Sequence, residues 1–448
     1  MRILHYTLGL PPYRSGGLTK YSIDLAKEQS KTNKVFILFP GKMITKKSLK
    51  IKLYKKFLGM DVFEIINPLP VPLLGGISNI NEYTKKMDFK DEYLQFLNSV
   101  KPDLIHIHTL MGMPIEFIKM AKKLNIKILF TTHDYFGLCP KVNFIDYCGK
   151  LCDGNLEKCC ECNKNAYSMK MIYIMQSSIY RRFKENIFVS KFRNKKKLNL
   201  NKENKIINEN KVSKYEIEKY NKLRKYYIDI LNNIDYIHFN SYISKSVYER
   251  FGEFNGDVIE ITHSNIRDNR KIKNFDNEEL KILFLGSVEK YKGLPMLIES
   301  LKEIKGKFTL DVYGNKSKID TSELNNRIKF NGKYNNNNLK DIIKKYDLLV
   351  VPSIWYETFG FILLEGLSNA IPIITSNTVG SSYLIHNDKT GYVINPNKNE
   401  FVKKINYLIK NKNKLKEFNK NICEEKFYFS MEQHSEKILK LYKKLLKK

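Results

Sequence analysis

Residues 347–366 read DLLVVPSIWYETFGFILLEG. The apolar run at 348–351, closed by Pro352 and Ser353, predicts a buried parallel strand, and Thr358, Gly360 and the apolar residues after them predict the opening of a helix. A strand, a loop and a helix start together favour an anion, because the first-turn amides lack intrahelical acceptors and the helix dipole is positive there. Glu357 falls in the loop and Glu365 about two turns along, within roughly 12 Å on the axis. One carboxylate is thereby placed beside an anion and the other beside whatever that anion carries. The plainer reading is an ordinary strand-to-helix unit with two surface glutamates, and what else converges on the stretch decides between them.

Around it, strand patterns at 281–286, 307–314, 327–332 and 371–376 alternate with helical or turn segments, the sequence of a parallel sheet with helices on both faces. The first of them runs into GSVEKYKGLPMLIESLKEI, bringing Lys290 and Lys292 to a strand end where an ammonium would meet a diphosphate. The N-terminal half repeats the alternation. Its strand patterns lie at 2–7, 34–40, 61–67, 104–109, 127–133, 236–241 and 258–263, and its helical ones at 85–99, 113–123, 165–189 and 212–232. The chain is therefore α/β, with two Rossmann-like, doubly wound parallel-sheet domains. The domains run 1–264 and 280–425, joined by a polar linker at 265–279 and followed by a helix within 426–448 that opens on a Ser430 capping box.

The loop after the first strand, LGLPPYRSGG, carries Gly16 and Gly17, which allow close backbone approach to a ligand. No G-x-G-x-x-G follows that strand and no P-loop occurs, which demotes a nicotinamide enzyme and an NTPase. Ligands of such sheets sit beyond the carboxyl ends of the strands, so His108 and His133-Asp134 are expected to face the ligand rather than the core.

With 78 Lys and Arg against 47 Asp and Glu, the chain has a formal charge of +31, which points to an acidic partner or to biased composition. Residues 41–60 form a basic amphipathic mixture that suits either an anionic membrane surface or a solvated face. The Lys/Asn-rich insertion at 190–211 lacks interleaved aromatics, so no nucleic acid is expected. No run of 18 apolar residues occurs, and MRILHYTLGL enters a strand without a cleavable signal. A cytoplasmic protein, peripheral on the inner face of the membrane, is the expectation. Six of the seven cysteines fall in a Cys-rich loop at 139–162. In a cytosolic chain Cys139, Cys152, Cys159 and Cys162 point to a structural zinc, against reduced buried thiols or disulfides.

Gly16-Gly17, His133-Asp134 in TTHDYFGLCP, Lys292-Gly293 and PSIWYETFGFILLE together resemble the retaining family-4 glycosyltransferases of the GT-B fold, the glycosyl transferases group 1, over nearly the whole chain. The resemblance implies two domains facing a cleft, with the last helix crossing back to the first domain. It implies a nucleotide-sugar donor, UDP- or GDP-linked, on the second domain, and a glycan or lipid-linked acceptor on the first. Glu365 would then hydrogen-bond the donor ribose and Glu357 contact the sugar. Lys292, with Lys290, would neutralise the diphosphate, and the amides of Phe359, Gly360 and Phe361 would bind its oxygens. Gly16-Gly17 would approach the diphosphate and His133 the reacting centre. No cofactor is expected for catalysis. The chain departs from the family at Ser287, where an Arg is usual, and at Tyr383, where a carboxylate is usual. These departures motivate the alternative of a non-catalytic protein that binds a nucleotide sugar or an anionic glycan.

Overall fold

A computed structural model describes residues 1–45, 48–184, 212–315, 319–335 and 338–447. The described chain forms two compact units, the second spanning Ser241–Ser244 and Glu260–His434 and the first the remainder, including Ser435 onward.

In the first unit, strands β1 (Arg2–Tyr6), β2 (Lys34–Pro40), β3 (Lys50–Phe57), β4 (Met60–Ile66), β5 (Leu104–Ile107), β6 (Lys127–Thr131), β7 (Tyr236–Phe239) and β8 (Gly256–Val258) form one sheet. Their order is β3-β4-β2-β1-β5-β6-β7-β8, parallel except for β3, which runs antiparallel to β4 at the edge. The central strands are buried along their length, as their continuous Ile, Leu, Val and Phe require when helices cover both faces.

The second unit holds β9 (Leu280–Leu285), β10 (Phe308–Tyr313), β11 (Ile328–Gly332), β12 (Leu348–Val351), β13 (Ile373–Ser376) and β14 (Gly391–Ile394), all parallel, in the order β11-β10-β9-β12-β13-β14. That order reverses between β9 and β12, so the crevice at their carboxyl ends is the topological switch point where such sheets take ligands. Residues 265–279, expected as a linker, lie within this unit, and Phe275 is buried in its core.

Several local expectations differ from the structure. The strand pattern at 258–263 overlaps β8 only at Val258, because the ladder ends where Ile259 donates to the Phe239 carbonyl and the chain then joins the second unit. Among the described residues of the helical pattern at 165–189, two helices form, Met169–Met175 and Ser178–Phe183, each started by its own serine cap, Ser168 and Ser177. Within the basic mixture at 41–60, residues 50–57 are strand β3, since Lys50 to Leu53 and Lys55 to Phe57 pair with β4. Strand β14 was not foreseen. The 190–211 insertion lies outside the described residues.

His108 is fully buried and belongs to the core, contrary to the expectation that it faces a ligand. It joins His5, His106 and His238, also buried, in one hydrogen-bonded chain. The Ile259 carbonyl only accepts, so His238 Nε2 donates to it at 2.7 Å and Nδ1 accepts from Thr131 at 2.9 Å. Thr131 then accepts from His106 Nε2 at 2.6 Å, and His106 Nδ1 accepts from the Tyr442 hydroxyl at 2.5 Å. Tyr442, on the last helix, accepts from Gln29 Nε2 at 3.3 Å, while Gln29 Oε1 accepts from His5 Nε2 at 2.9 Å. His5 Nδ1 finally accepts from His108 Nε2 at 2.9 Å. A single proton assignment satisfies every link with all four rings neutral.

Burial holds His5 down to about 4 and His133 to about 3, and depresses His106 and His108 as well. Unfolded, these rings titrate near 6.5. Unfolding therefore takes up protons below that pH, so stability is full above about 6.5 and falls as pH drops towards 4. Asp134, pushed up to about 6 by burial, acts in the opposite sense, but with one proton. The urea midpoint of the whole chain is expected to fall steadily from pH 7 to pH 5, each histidine contributing up to about 1.4 kcal/mol per pH unit. A flat profile would contradict the neutral chain.

Candidate functional site

The second-unit site is built at the carboxyl ends of β9 and β12. After β9 the chain makes a short 3-10 turn, Lys290–Lys292, and Gly293 then starts the helix Leu294–Leu301 in a left-handed conformation, φ 80°. A Cβ on Gly293 would stand 1.8 Å from the Pro352 carbonyl oxygen, so only glycine lets this turn sit on the end of β12. The Ile354 amide donates to the Tyr291 carbonyl at 2.9 Å and fixes the same contact.

That docking brings Lys292 Nζ to Glu357 Oε1 at 2.6 Å. Ser353 Oγ donates to the other oxygen, Oε2, at 2.8 Å. The ammonium also lies 5.1 Å from the centre of the Trp355 ring, close enough for a cation–π contact. Lys290 stays exposed. At Ser287 the hydroxyl accepts from the Glu289 amide at 3.4 Å and supplies no charge.

The loop after β13 braces this wall. Glu357 donates its amide to the Thr378 carbonyl at 3.0 Å, and Gly380 donates back to the Glu357 carbonyl at 2.8 Å. Gly360, φ 90°, caps the helix Phe361–Leu367, where a Cβ would meet Val379 at 2.6 Å. The amides around Phe359, Gly360 and Phe361 thus open the helix, whose first-turn N–H groups have no intrahelical acceptor. On that helix Glu365 is 6% exposed, and its Oε1 lies 3.4 Å from His263 Nε2. Its Oε2 is buried with no hydrogen-bond partner. A buried carboxylate oxygen left unmatched is costly, and it marks a position where a hydroxyl donor is missing. Tyr383, the second departure, packs edge-on against Tyr242 at 5.1 Å.

In the first unit, Gly16 starts the helix Gly17–Gln29 with φ 113°, and a Cβ there would meet nothing within 4 Å. The glycine is needed for its backbone angle and leaves open space at the helix start. His133 follows β6, its ring 4.9 Å from Tyr21 and 5.7 Å from His108. Asp134 is turned back to accept from the Phe136 amide at 2.9 Å.

All seven cysteines are free thiols. Cys139, Cys152 and Cys159 are buried and Cys162 is half-buried. Burial pushes the Cys160 thiol up to about 11 and Cys162 to about 12, and raises Cys139 and Cys159 as well. The Gly154 amide donates to Cys152 Sγ at 3.4 Å and Arg224 to Cys159 Sγ at 3.7 Å. Among the described residues, the one group of three or more such side chains with ligand atoms within 4.8 Å of one another is His5, His106 and His108. The cysteine sulfurs do not form such a group.

Sequence reasoning singled out Lys292, Glu357 and Glu365 but missed Ser353, Trp355 and His263, along with the histidine chain through His5, His106 and His238. Ser353 sits in the quoted stretch and its spacing to Glu357 was a usable signal. His263 had none, because it precedes the second sheet in the chain and meets Glu365 only after four of that sheet's strands have intervened.

The chain is similar to several known proteins. The family described as Glycosyl transferases group 1 matches residues 265–425. An uncharacterized glycosyltransferase of Methanocaldococcus jannaschii is 27% identical over 161 residues, which is 34% of this chain and 41% of that protein. The match thus spans under half of that relative's length. Sucrose-phosphate synthase from Thermosynechococcus elongatus superposes with a TM-score of 0.60 at 15% identity, covering 99% of both chains. Anabaena HepE, solved in complex with UDP and glucose, gives 0.57 at 13%, covering 99% of this chain and 100% of that one. Residues 265–425 thus match the glycosyl transferases group 1 family, and the chain as a whole has the GT-B fold.

Proposed function

We propose that this chain is a retaining glycosyltransferase. It would move a hexosyl group from a UDP- or GDP-sugar to a glycan or lipid-linked acceptor, in surface polysaccharide or glycolipid synthesis at the inner face of the membrane. The observation that carries the reading is the pairing, at one switch point, of the Lys292–Glu357–Ser353 group with the unmatched Glu365 oxygen. A diphosphate leaving group gathers negative charge as its bond to the sugar breaks. Lys292 and the amides opening the helix Phe361–Leu367 are placed to stabilise that charge without a divalent ion. Glu365 Oε2 takes a ribose hydroxyl, and Glu357, oriented by Ser353, meets the sugar. Lys290, exposed beside the turn, adds charge where Ser287 brings none. The first unit takes the acceptor near His133, and its Gly16-Gly17 loop is a donor contact. HepE's complex with UDP and glucose supports a nucleotide-sugar donor for a chain of this fold.

The deciding experiment is a donor screen by ligand-observed NMR and by nucleoside diphosphate release, with and without EDTA. Binding and slow, EDTA-insensitive release from one nucleotide sugar is expected. Binding with no turnover on any donor, even with acceptor extracts, would instead favour a non-catalytic nucleotide-sugar-binding protein.

For the cysteines we propose one structural zinc held by Cys139, Cys152, Cys159 and Cys162. The reading is supported by the burial of Cys139, Cys152 and Cys159 and by the N–H groups that already point at the Cys152 and Cys159 sulfurs. The ion would have to draw the four sulfurs closer together. Elemental analysis of purified protein is expected to find one zinc per chain, lost in Cys159→Ser, while metal-free protein with seven titratable thiols would refute it.

A further inference from the structure

Two arginines of the first unit are buried together with a single carboxylate between them to balance their charge. Arg14 lies in the loop after β1, where its amide donates to the Leu10 carbonyl at 2.9 Å. Its side chain folds back over Gly9, φ 139°, where a Cβ would stand 2.8 Å from Arg14 Cγ, so glycine there lets the arginine turn inward. Arg14 is 6% exposed. Arg181, on the helix Ser178–Phe183 and 11% exposed, reaches the same place from the other side of the sequence. The Arg14 guanidinium is 4.3 Å from the centre of the Tyr13 ring and that of Arg181 4.9 Å. Loop and helices are tied at this point, because the Tyr13 hydroxyl donates to the Met175 carbonyl at 3.0 Å and Lys184 Nζ donates to the Tyr13 carbonyl at 2.7 Å.

Among the described residues Glu64 is the one carboxylate paired with either arginine, its Oε2 accepting from Arg181 Nη1 at 2.9 Å. Arg181 Nε and Nη2, and Arg14 Nε, are buried with no partner at hydrogen-bonding geometry. Nε and Nη2 are the two nitrogens whose N–H bonds run parallel along one edge of the guanidinium, and that fork matches two oxygens of one carboxylate or phosphate. The rings of Tyr13, Tyr54 and Phe39 lie 4.9, 5.4 and 5.6 Å from the Arg181 guanidinium. Such rings stabilise a cation but offer no acceptor to its N–H edge. Stacking on aromatic rings is a sufficient structural role for one arginine. It does not account for two in one place, with an uncompensated charge and three unmatched donors, since burying these is costly unless something completes them.

We propose that Arg181 and Arg14 bind an oxyanion, a carboxylate or a phosphate group, carried by the acceptor, which is therefore an acidic sugar or glycan. Arg181 gives the bidentate pair through Nε and Nη2, and Arg14 Nε gives a third donor. A carboxylate would bring the two arginines and Glu64 to neutrality. Of the three rings Tyr54 is the exposed one, at 39%, so its rotation opens the way to the fork. That the anion belongs to an acceptor rests on the transferase reading above, whereas binding of the anion does not.

Saturation-transfer NMR on the full chain without donor tests this, with glucuronate, glucose 6-phosphate and neutral glucose as probes. At least one of the acids is expected to bind tenfold or more tightly than glucose, and the preferred acid names the group. Arg181→Lys keeps a cation for Glu64 but loses the fork, and should weaken acid binding about tenfold to a hundredfold, the loss expected when hydrogen bonds to a charged group go. Arg14→Gln, which takes no cation from a carboxylate, should also weaken it, with an unchanged circular dichroism spectrum. Glucose binding as tightly as both acids, or acid binding undiminished in both variants, would overturn the proposal. Because no donor is present, acid binding can fail while turnover on a nucleotide sugar stands, and turnover can fail while acid binding stands.

Discussion

Replacing Glu365 by glutamine is expected to weaken nucleotide-sugar binding about tenfold to a hundredfold while raising the melting temperature by a few degrees. The two effects have one cause. Oε2 is buried without a partner, so the free protein carries a desolvated carboxylate oxygen that a neutral amide of the same shape would relieve. A gain of about 1 kcal/mol corresponds to roughly 2–4 °C for a domain of this size. With the donor bound, the same oxygen accepts a hydroxyl, and a hydrogen bond to a charged group contributes about 1.5–3 kcal/mol. Glu365→Ala should abolish turnover as well. Calorimetric titration with the donor found in the screen, alongside thermal melts, checks both signs, and unchanged donor affinity in either variant would remove Glu365 from the site.

Lys292→Met should act differently, lowering both turnover and stability. Removing a preorganised positive group from a developing anion typically costs about a hundredfold to a thousandfold in kcat. It also strips Glu357, whose side chain is only 12% exposed, of its cation at 2.6 Å and leaves Ser353 as its remaining side-chain partner. A half-buried carboxylate without its cation destabilises the fold, so the melting temperature should fall. Steady-state kinetics and melts on this variant, set beside Glu365→Gln, give a pattern that general misfolding cannot imitate: one variant loses function while gaining stability, the other loses both. Full turnover in Lys292→Met would mean that the leaving group is stabilised elsewhere.

Much of the second unit was legible because its information is local. Continuous Leu, Ile and Val runs at fixed intervals mark parallel strands, and the residues that open the helix after β12 lie within ten positions of the strand. The first unit was less legible at its margins. Strand β3 reads as a basic amphipathic stretch because an exposed edge lacks the apolar run of a buried strand, and only pairing with β4 identifies it. His108 was misplaced for a related reason. A histidine near a strand end has no sequence mark that distinguishes an outward ring from an inward one, and the hydrogen-bonded chain His108 joins runs through Gln29 and Tyr442, which are 413 residues apart.

The sequence by itself thus determined the α/β class, the two parallel sheets, and the presence of Glu357 and Glu365 on one strand-loop-helix wall, since these depend on hydrophobic period and short spacing. Only the tertiary structure decided that Lys292 and Glu357 form an ion pair and that one oxygen of Glu365 is left unmatched beside His263. Each of these depends on which distant side chains the sheet order brings together, and no local pattern encodes that.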